Sequence, residues 1–196
     1  MSKKYKEFIF RDIANFKQQT KMKKFLLALV VTGAMVTAAK AQTAAVKVNV
    51  ILNPIQSISL GEGASNDVVN LEYKTVEDYK NGVSKTVNNQ LYVTSIGGGY
   101  KIKAKSSVNN PVATTAAEKN IDGSTVTVKI EGKGTTYTNN IRDLVAGKDA
   151  YQSTATSGES LNVTYAAAGN NAYVDKVLNK QKTTYTVNVV YEITAE

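Results

Sequence analysis

The sequence predicts an all-β protein, an antiparallel immunoglobulin-like β-sandwich of about seven to nine strands. Valine, threonine, tyrosine and asparagine are abundant, and there are only two prolines, Pro54 and Pro111. Several short segments alternate apolar and polar residues with a period of two, which is the pattern of half-buried strands. Helical periodicity is scarce outside the N-terminal region. These observations favour strands joined by polar turns.

The N-terminal region has the three parts of a secretory signal. Residues 22–41 read MKKFLLALVVTGAMVTAAKA, with Lys23 and Lys24 before an apolar run and a small-x-small site at its end. The run, residues 25–36, is about twelve residues long, whereas a membrane-spanning helix needs roughly 20. We therefore expect an N-terminal signal helix, cleaved between Ala41 and Gln42, rather than a permanent membrane anchor.

This leader changes what the charge implies. Residues 1–21 are either an over-called start upstream of Met22 or a long positive region of the signal. The first 41 residues hold nine of the 24 Lys and Arg and two of the 16 Asp and Glu, so residues 42–196 carry 15 against 14. Lys101, Lys103 and Lys105 lie on one face of a predicted strand, which favours a solvated face over a phosphate-binding stripe. We expect a single β-sandwich domain, residues 42–196, with no nucleic-acid partner.

Residues 42–196 lack the side chains that most catalysis and metal binding use. This part contains no Cys, His, Trp, Phe or Met. Without Cys there is no disulfide framework, and without Cys or His the usual nucleophiles, bases and transition-metal ligands are missing. Glu77 and Asp78 are adjacent in a turn-like stretch, where a solvated turn is favoured over a glycosidase pair. We expect no enzyme, no metal and no cofactor.

The strand predictions follow from the alternation. The segments that match a period of two best are residues 46–52, 90–95, 100–105, 124–131, 159–165 and 183–194. Weaker candidates are residues 55–60, 68–74 and 135–138. Gly97, Gly98 and Gly99 lie between two strands, so we predict a hairpin turn rather than a phosphate-binding loop, which needs a following helix. Short helical connections are expected within residues 139–148 and 172–180.

The last predicted strand carries the clearest pattern. One face presents alternate apolar or aromatic residues, namely Tyr185, Val187, Val189, Tyr191 and Ile193. Only Val190 interrupts the polar face. Eleven or twelve residues at a rise of about 3.3 Å predict a strand that runs the length of a sheet. Such a strand at the edge of a sheet invites pairing with another chain.

The first predicted strand begins soon after the cleavage site. Its apolar face consists of Val46, Val48, Val50 and Leu52, and the step Asn53-Pro54-Ile55 follows it. Alternation alone predicts a half-buried strand without indicating whose sheet it joins.

This arrangement resembles the exported fimbrial subunits of the alternate chaperone-usher class, the colonisation-factor or alpha-type pilins. The resemblance lies in the signal sequence, the alternating AVKVNVILNPIQSISL stretch and the closing YTVNVVYEITAE strand. It implies an incomplete sandwich whose missing edge is filled by the N-terminal strand of the next subunit, with alternate apolar side chains entering pockets. It also implies identical or related subunits, a periplasmic chaperone and an outer-membrane usher as partners, and a route through the periplasm to the bacterial cell surface.

A second hypothesis is a self-contained secreted or surface module that binds a host protein or a glycan. In it, residues 46–52 form the first strand of a complete sandwich. Tyr137, Tyr151 and Tyr173, in segments predicted as loops, are then candidate contact residues. The sequence leaves the two hypotheses open.

Overall fold

The computed structural model of the chain describes residues 45–62 and 68–196. The chain divides after Val50 into two units, and all of the assigned strands belong to the second, Ile51–Glu196. The predicted all-β antiparallel class is confirmed, with twelve strands and one α-helix among the described residues. The strands are β1 Ile55–Leu60, β2 Val83–Ile96, β3 Tyr100–Ser106, β4 Val112–Ala113, β5 Ala116–Asn120, β6 Val126–Glu131, β7 Thr135–Thr136, β8 Thr138–Asn140, β9 Lys148–Ser153, β10 Thr156–Ala167, β11 Tyr185–Thr186 and β12 Val189–Ala195.

Two antiparallel sheets face one another across the core. The five-stranded sheet has the order β1-β2-β10-β6-β8, and the four-stranded sheet has the order β12-β3-β9-β7. A small sheet, β11-β4-β5, accompanies them. The core combines residues from both large sheets, and its largest fully buried side chains are Tyr100, Tyr151, Leu91, Ile102, Ile130, Ile141, Leu144 and Leu161. The architecture is therefore a sandwich held by aliphatic and tyrosine side chains.

Helical structure is short. The α-helix α1, Val76–Asn81, occupies the stretch predicted as a turn. Thr75 caps it, and the Asp78 carboxylate accepts hydrogen bonds from the backbone N–H groups of Thr75 and Lys74, both at 2.7 Å. These backbone hydrogen bonds lower the pKa of Asp78. Of the Glu77 and Asp78 pair, Asp78 thus serves as a helix cap.

The helical connection expected within residues 139–148 is a 3₁₀ turn, Asp143–Ala146, that ends at Gly147. A second 3₁₀ turn, Gly123–Thr125, replaces the start of the strand predicted at residues 124–131. Residues 172–180 form turns without a helix. The weak strand candidate at residues 68–74 is wrong, because these residues carry no strand.

The predicted hairpin at the three glycines is wrong. β2 belongs to the five-stranded sheet and β3 to the four-stranded sheet, so residues 97–99 form an arch from one sheet to the other. Gly97 has a φ of +104°, which a residue with a side chain rarely adopts. Both strands present apolar faces to the shared core, and alternation cannot distinguish that arrangement from pairing within one sheet.

The single long strand predicted at residues 183–194 is also wrong. Two shorter strands occupy this segment, separated by Val187 and Asn188. β11 pairs with β4, whereas β12 pairs with β3 along its whole length. The break has a cause in the partner strand, because β3 ends at Ser106 and a turn leads from there to Pro111. The chain must therefore change its pairing partner at this point.

A buried carboxylate ties the two sheets together. Glu159 of β10 accepts hydrogen bonds from the hydroxyl groups of Tyr100 and Tyr151, both at 2.7 Å, and from the backbone N–H of Lys133 at 3.1 Å. Burial raises the pKa of Glu159, but the three hydrogen bonds outweigh it, and the net pKa is lowered. The ionised carboxylate thus satisfies two buried hydroxyl groups of the opposite sheet.

We expect Glu159 to make the fold sensitive to acid. Its lowered native pKa contributes stability above the unfolded value of about 4.5, and this contribution is lost as the pH falls through the native value. Glu159→Gln should lower the free energy of unfolding at pH 7 by about 1 to 3 kcal/mol and lose less of it on acidification. Urea unfolding across this pH range measures both effects. Glu118→Gln, at an exposed position of β5, is the matched control, and equal acid sensitivity of wild type and Glu159→Gln would contradict the assignment.

Candidate assembly site: the open side of the sandwich

One side of the sandwich is closed by the chain itself. β7 is the outer strand of the four-stranded sheet and β8 is the outer strand of the five-stranded sheet. Only Tyr137 separates them along the chain, so one continuous segment crosses from the first sheet to the second. Both strands are two or three residues long. This side consequently presents little free strand edge.

The opposite side has a different construction. Its outer strands are β1 and β12, of six and seven residues, one from each large sheet. They approach one another. Within residues 45–62 and 68–196, however, no hydrogen-bonded ladder joins them, and each pairs on one flank only, β1 with β2 and β12 with β3. We call the region between them the open side, defined by β1 and β12.

The inner face of β12 is apolar and only partly covered. Val189, Tyr191 and Ile193 are directly opposite Ser106, Ala104 and Ile102 of β3. These three β3 residues are buried, whereas the three β12 residues are half-buried. The apolar face is therefore less well covered at the edge strand β12 than at its neighbour β3. An additional strand beside β12 would bury these side chains further.

The inner face of β1 shows the same decrease. Ile58 and Leu60 are opposite Val93 and Leu91 of β2, which are fully buried. Ile58 is half-buried, and Leu60 is 56% exposed. The open side is thus bordered by apolar residues on both strands, a feature typical of surfaces that bind another chain.

A pair of tyrosines positions β12 against the opposite sheet. The hydroxyl groups of Tyr191 and Tyr165 of β10 lie 2.8 Å apart, at hydrogen-bonding distance. Burial raises the pKa of both groups. The side chain of Gln90 lies beside Tyr165, and its Oε1 atom is buried with no hydrogen-bond donor among the residues that the structure describes. The hydrogen bond between the two tyrosines thus holds β12 in place behind the open side.

The predicted assembly strand has exposed apolar side chains. Val46, Val48, Val50 and Leu52 are 80 to 87% exposed. Residues 45–54 carry no assigned strand. Ile51, on the other face of this segment, is 80% exposed. Five large apolar side chains exposed within seven residues are typical of a surface that another chain covers.

The other predicted site residues are dispersed. Tyr185 lies in β11, where it is opposite Ala113 of β4, and Val187 lies in the break before β12. These two residues are therefore separate from the β12 edge formed by Val189, Tyr191 and Ile193. Ala41 and Gln42, the predicted cleavage site, lie outside the described residues.

The tyrosines considered as ligand contacts are mostly buried. Tyr151 is fully buried in β9 and donates to Glu159, and Tyr173 is 8% exposed. Only Tyr137, of these three, is accessible to a ligand, at 38% exposure. The interpretation of Tyr151 and Tyr173 as loop contacts is wrong, because both side chains face the interior.

The lysine face is compensated by acidic neighbours. Lys101, Lys103 and Lys105 lie opposite Thr194, Glu192 and Val190 of β12. The Lys105 ammonium group lies 2.8 Å from a carboxylate oxygen of Glu192, and both side chains are nearly half exposed. An exposed ion pair of this kind contributes about 0.2 to 1 kcal/mol at most. The pair nevertheless shows that the Glu192 carboxylate lies on the outer face of β12, on the side of β3.

In the described ranges, no three His, Cys, Asp or Glu residues come together as metal ligands. A polar depression is lined by hydroxyl-bearing residues and by Lys133, Gln152, Glu159 and Glu196. No helix within the described part of the chain combines the length and apolar character that crossing a membrane requires.

Comparisons with known proteins give a distant likeness in structure and none in sequence. No protein-family model matches the sequence, and no curated protein sequence matches it. Among solved structures, the crystal structure of the P pilus rod subunit PapA is similar over 71% of this chain and 99% of that chain. The identity is 9% and the TM-score is 0.38, so this likeness carries no conclusion about function.

The tyrosine pair yields a prediction for stability. Tyr191→Phe and Tyr165→Phe should each lower the free energy of unfolding by about 1 kcal/mol, because each removes one partner of a buried hydrogen bond. The double variant should lose less than the sum of the two, since the second substitution removes a group already left without its partner. Chemical denaturation of the three variants measures this coupling, with Tyr137→Phe as an exposed control. Strictly additive losses would show that the two hydroxyl groups are independent.

Proposed function

We propose that this protein is a structural subunit of a bacterial surface fibre and that residues 46–52 of one copy fill the open side of the next copy. The proposal rests on the observation that one chain has both an edge strand with a free flank and a segment with an exposed apolar face. Among the described residues, β12 has no neighbour along its outer flank, and the segment carrying Val46, Val48, Val50 and Leu52 exposes an apolar face. Strand addition would satisfy both.

The lengths of the two parts agree. Residues 46–52 comprise seven residues, and β12 also comprises seven. Seven residues in extended conformation span about 23 Å at a rise of 3.3 Å per residue. The segment therefore has the reach to pair with β12 from end to end.

Burial of the apolar face supplies much of the free energy of insertion. Burial of four branched side chains contributes roughly 1.5 to 3 kcal/mol each, or about 6 to 12 kcal/mol before ordering costs are subtracted. Main-chain hydrogen bonds along β12 add to this gain. Ordering the segment costs conformational entropy of the order of 1 to 2 kcal/mol per residue, so the apolar contacts and hydrogen bonds are needed together.

The contact is heterologous, because a segment of one copy meets a different surface of another. Such contacts do not close on themselves in general, and they generate open filaments. Export by way of residues 22–41, a periplasmic chaperone that covers the open side, and an outer-membrane usher complete the proposal. The subunit then reaches the cell surface within the fibre, where a host protein or glycan is a further partner.

Removal of the N-terminal segment should convert a polymerising protein into one that accepts a peptide. We expect residues 42–196 to form head-to-tail oligomers and a chain beginning at Asn53 to remain monomeric with lower thermal stability. A peptide of residues 45–53 should bind the shortened chain and raise its melting temperature. Analytical ultracentrifugation and thermal unfolding measure these outcomes.

The matched control is the same peptide with Val48→Lys and Val50→Lys, which keeps the length but removes two apolar side chains. It should bind at least tenfold more weakly, since two buried branched residues contribute about 3 kcal/mol or more. A stable monomer of residues 42–196 whose own residues 46–52 are protected from hydrogen exchange would instead support the self-contained module.

A further inference from the structure

The side chains on the outer face of β12 can distinguish one pairing register from another, whereas those on the apolar inner face cannot. Along this face the strand presents Val190, Glu192 and Thr194, followed by Glu196. Val190 is 54% exposed and is the one apolar residue among them. The inner face, with alternating apolar residues throughout, would accept an incoming strand at several positions or in either direction.

The outer face of the N-terminal segment also has one aliphatic residue, but at its C-terminal end rather than its N-terminal end. When the four residues with the apolar face point inward, Lys47, Asn49 and Ile51 point outward. Ile51 is the one apolar residue of this set, at the end next to Asn53. Each strand thus has one exposed aliphatic residue on an otherwise polar face, and each of these residues breaks the alternation of its own segment.

We propose that residues 46–52 of one copy pair with β12 of another in an antiparallel register that places Ile51 beside Val190 and Lys47 beside Thr194. This inference rests on the proposed function and deepens it by naming the partner residues. All seven residues of each strand are then used. The inward pairs are Val46 with Ala195, Val48 with Ile193, Val50 with Tyr191 and Leu52 with Val189.

Charge agrees with this register. Lys47 lies directly beside Thr194 and diagonally between Glu192 and Glu196. Glu192 is already paired with Lys105 on its β3 flank, so Lys47 approaches its free flank. Glu196 is exposed, and its side chain accepts a hydrogen bond from Gln152. An incoming lysine at this position meets two carboxylates, and no lysine of β12 opposes it.

Other registers are less favourable on the outer face. A parallel strand over the same residues places Lys47 beside Val190 and Ile51 beside Thr194, which opposes charge to an aliphatic side chain. An antiparallel shift by two residues in one direction places Ile51 beside Glu192. The opposite shift places Asn49 beside Val190 and requires Leu52 to face Val187, outside β12. Of the registers compared, the named one matches aliphatic with aliphatic residues.

Paired cysteines test the register directly, since the chain has no cysteine of its own. Three full-length double variants combine Ile51→Cys with Val190→Cys, Glu192→Cys or Thr194→Cys. We expect mild oxidation to give a ladder of disulfide-linked multimers from the first variant. The second reports the shifted antiparallel register and the third the parallel one, and both should remain largely uncrosslinked on a non-reducing gel.

Each outcome has a defined meaning. A dominant ladder from the second or third variant would overturn the register while leaving strand donation intact. A disulfide within one chain in the first variant would overturn both, because the segment would then pair with its own β12. Absence of crosslinks in all three overturns the register, and sedimentation of the reduced proteins then decides whether assembly by strand donation survives.

The charge contacts are tested by a swap. Lys47→Glu should weaken assembly by roughly two- to fivefold, because each diagonal ion pair at an exposed strand edge contributes little. Glu196→Lys in the same chain should restore part of the loss, and both effects should shrink at high salt. Lys119→Glu, at an exposed position of β5 in the small sheet, is the control of equal charge. An equal loss for Lys119→Glu, or no recovery in the swap, would contradict the placement of Lys47.

Discussion

The fold depends on how the edge strands of its two sheets cover their unpaired main-chain N–H and C=O groups and their inward-facing apolar side chains. A strand in the middle of a sheet has neighbours on both flanks, but an edge strand has one, so each sandwich has four such edges to manage. β7 and β8 manage theirs by being very short and by continuing into one another through Tyr137. β1 and β12 are long, and within the described residues neither has a second neighbour. The sandwich therefore has a closed side, at β7 and β8, and an open side, at β1 and β12.

The polar side chains that link the two sheets lie inside the core and behind the open side. Without any cysteine, the chain uses tyrosine hydroxyl groups as directional links across the core. Glu159 receives two of them, from β3 and β9, well inside the sandwich. Tyr165 and Tyr191 form another link immediately behind β12. The edge strand is therefore fixed from the core side, and its outer flank does not have to contribute to holding it in place.

The sequence predicts those features that depend on one strand alone. Alternation located β1, β3 and the inner face of β12, because each buries alternate residues against a sheet. It could not place the arch at residues 97–99, since strands in one sheet and strands in facing sheets show the same period. It also missed the break at Val187 and Asn188, whose cause is the end of β3 at Ser106, far away in sequence. β9 was missed because its residues 148–153 bury only Ala150 and Tyr151, which are adjacent.

Under the proposed register, residues 46–52 and β12 stop offering main-chain hydrogen bonds at the same end of the pair. Pro54 has no N–H group, so an incoming strand cannot continue its hydrogen bonds beyond Asn53. β12 begins at Val189, and the residues before it are turned toward β4 and toward the turn after β3. Antiparallel pairing of Leu52 with Val189 brings Asn53 to Asn188 and Pro54 to Val187. At the end where the donor cannot offer a hydrogen bond, the acceptor strand has already stopped, whereas a parallel alignment would bring Pro54 to the opposite end, beyond Glu196. The backbone constraint and the outer-face side chains are independent of one another, and both favour the antiparallel register.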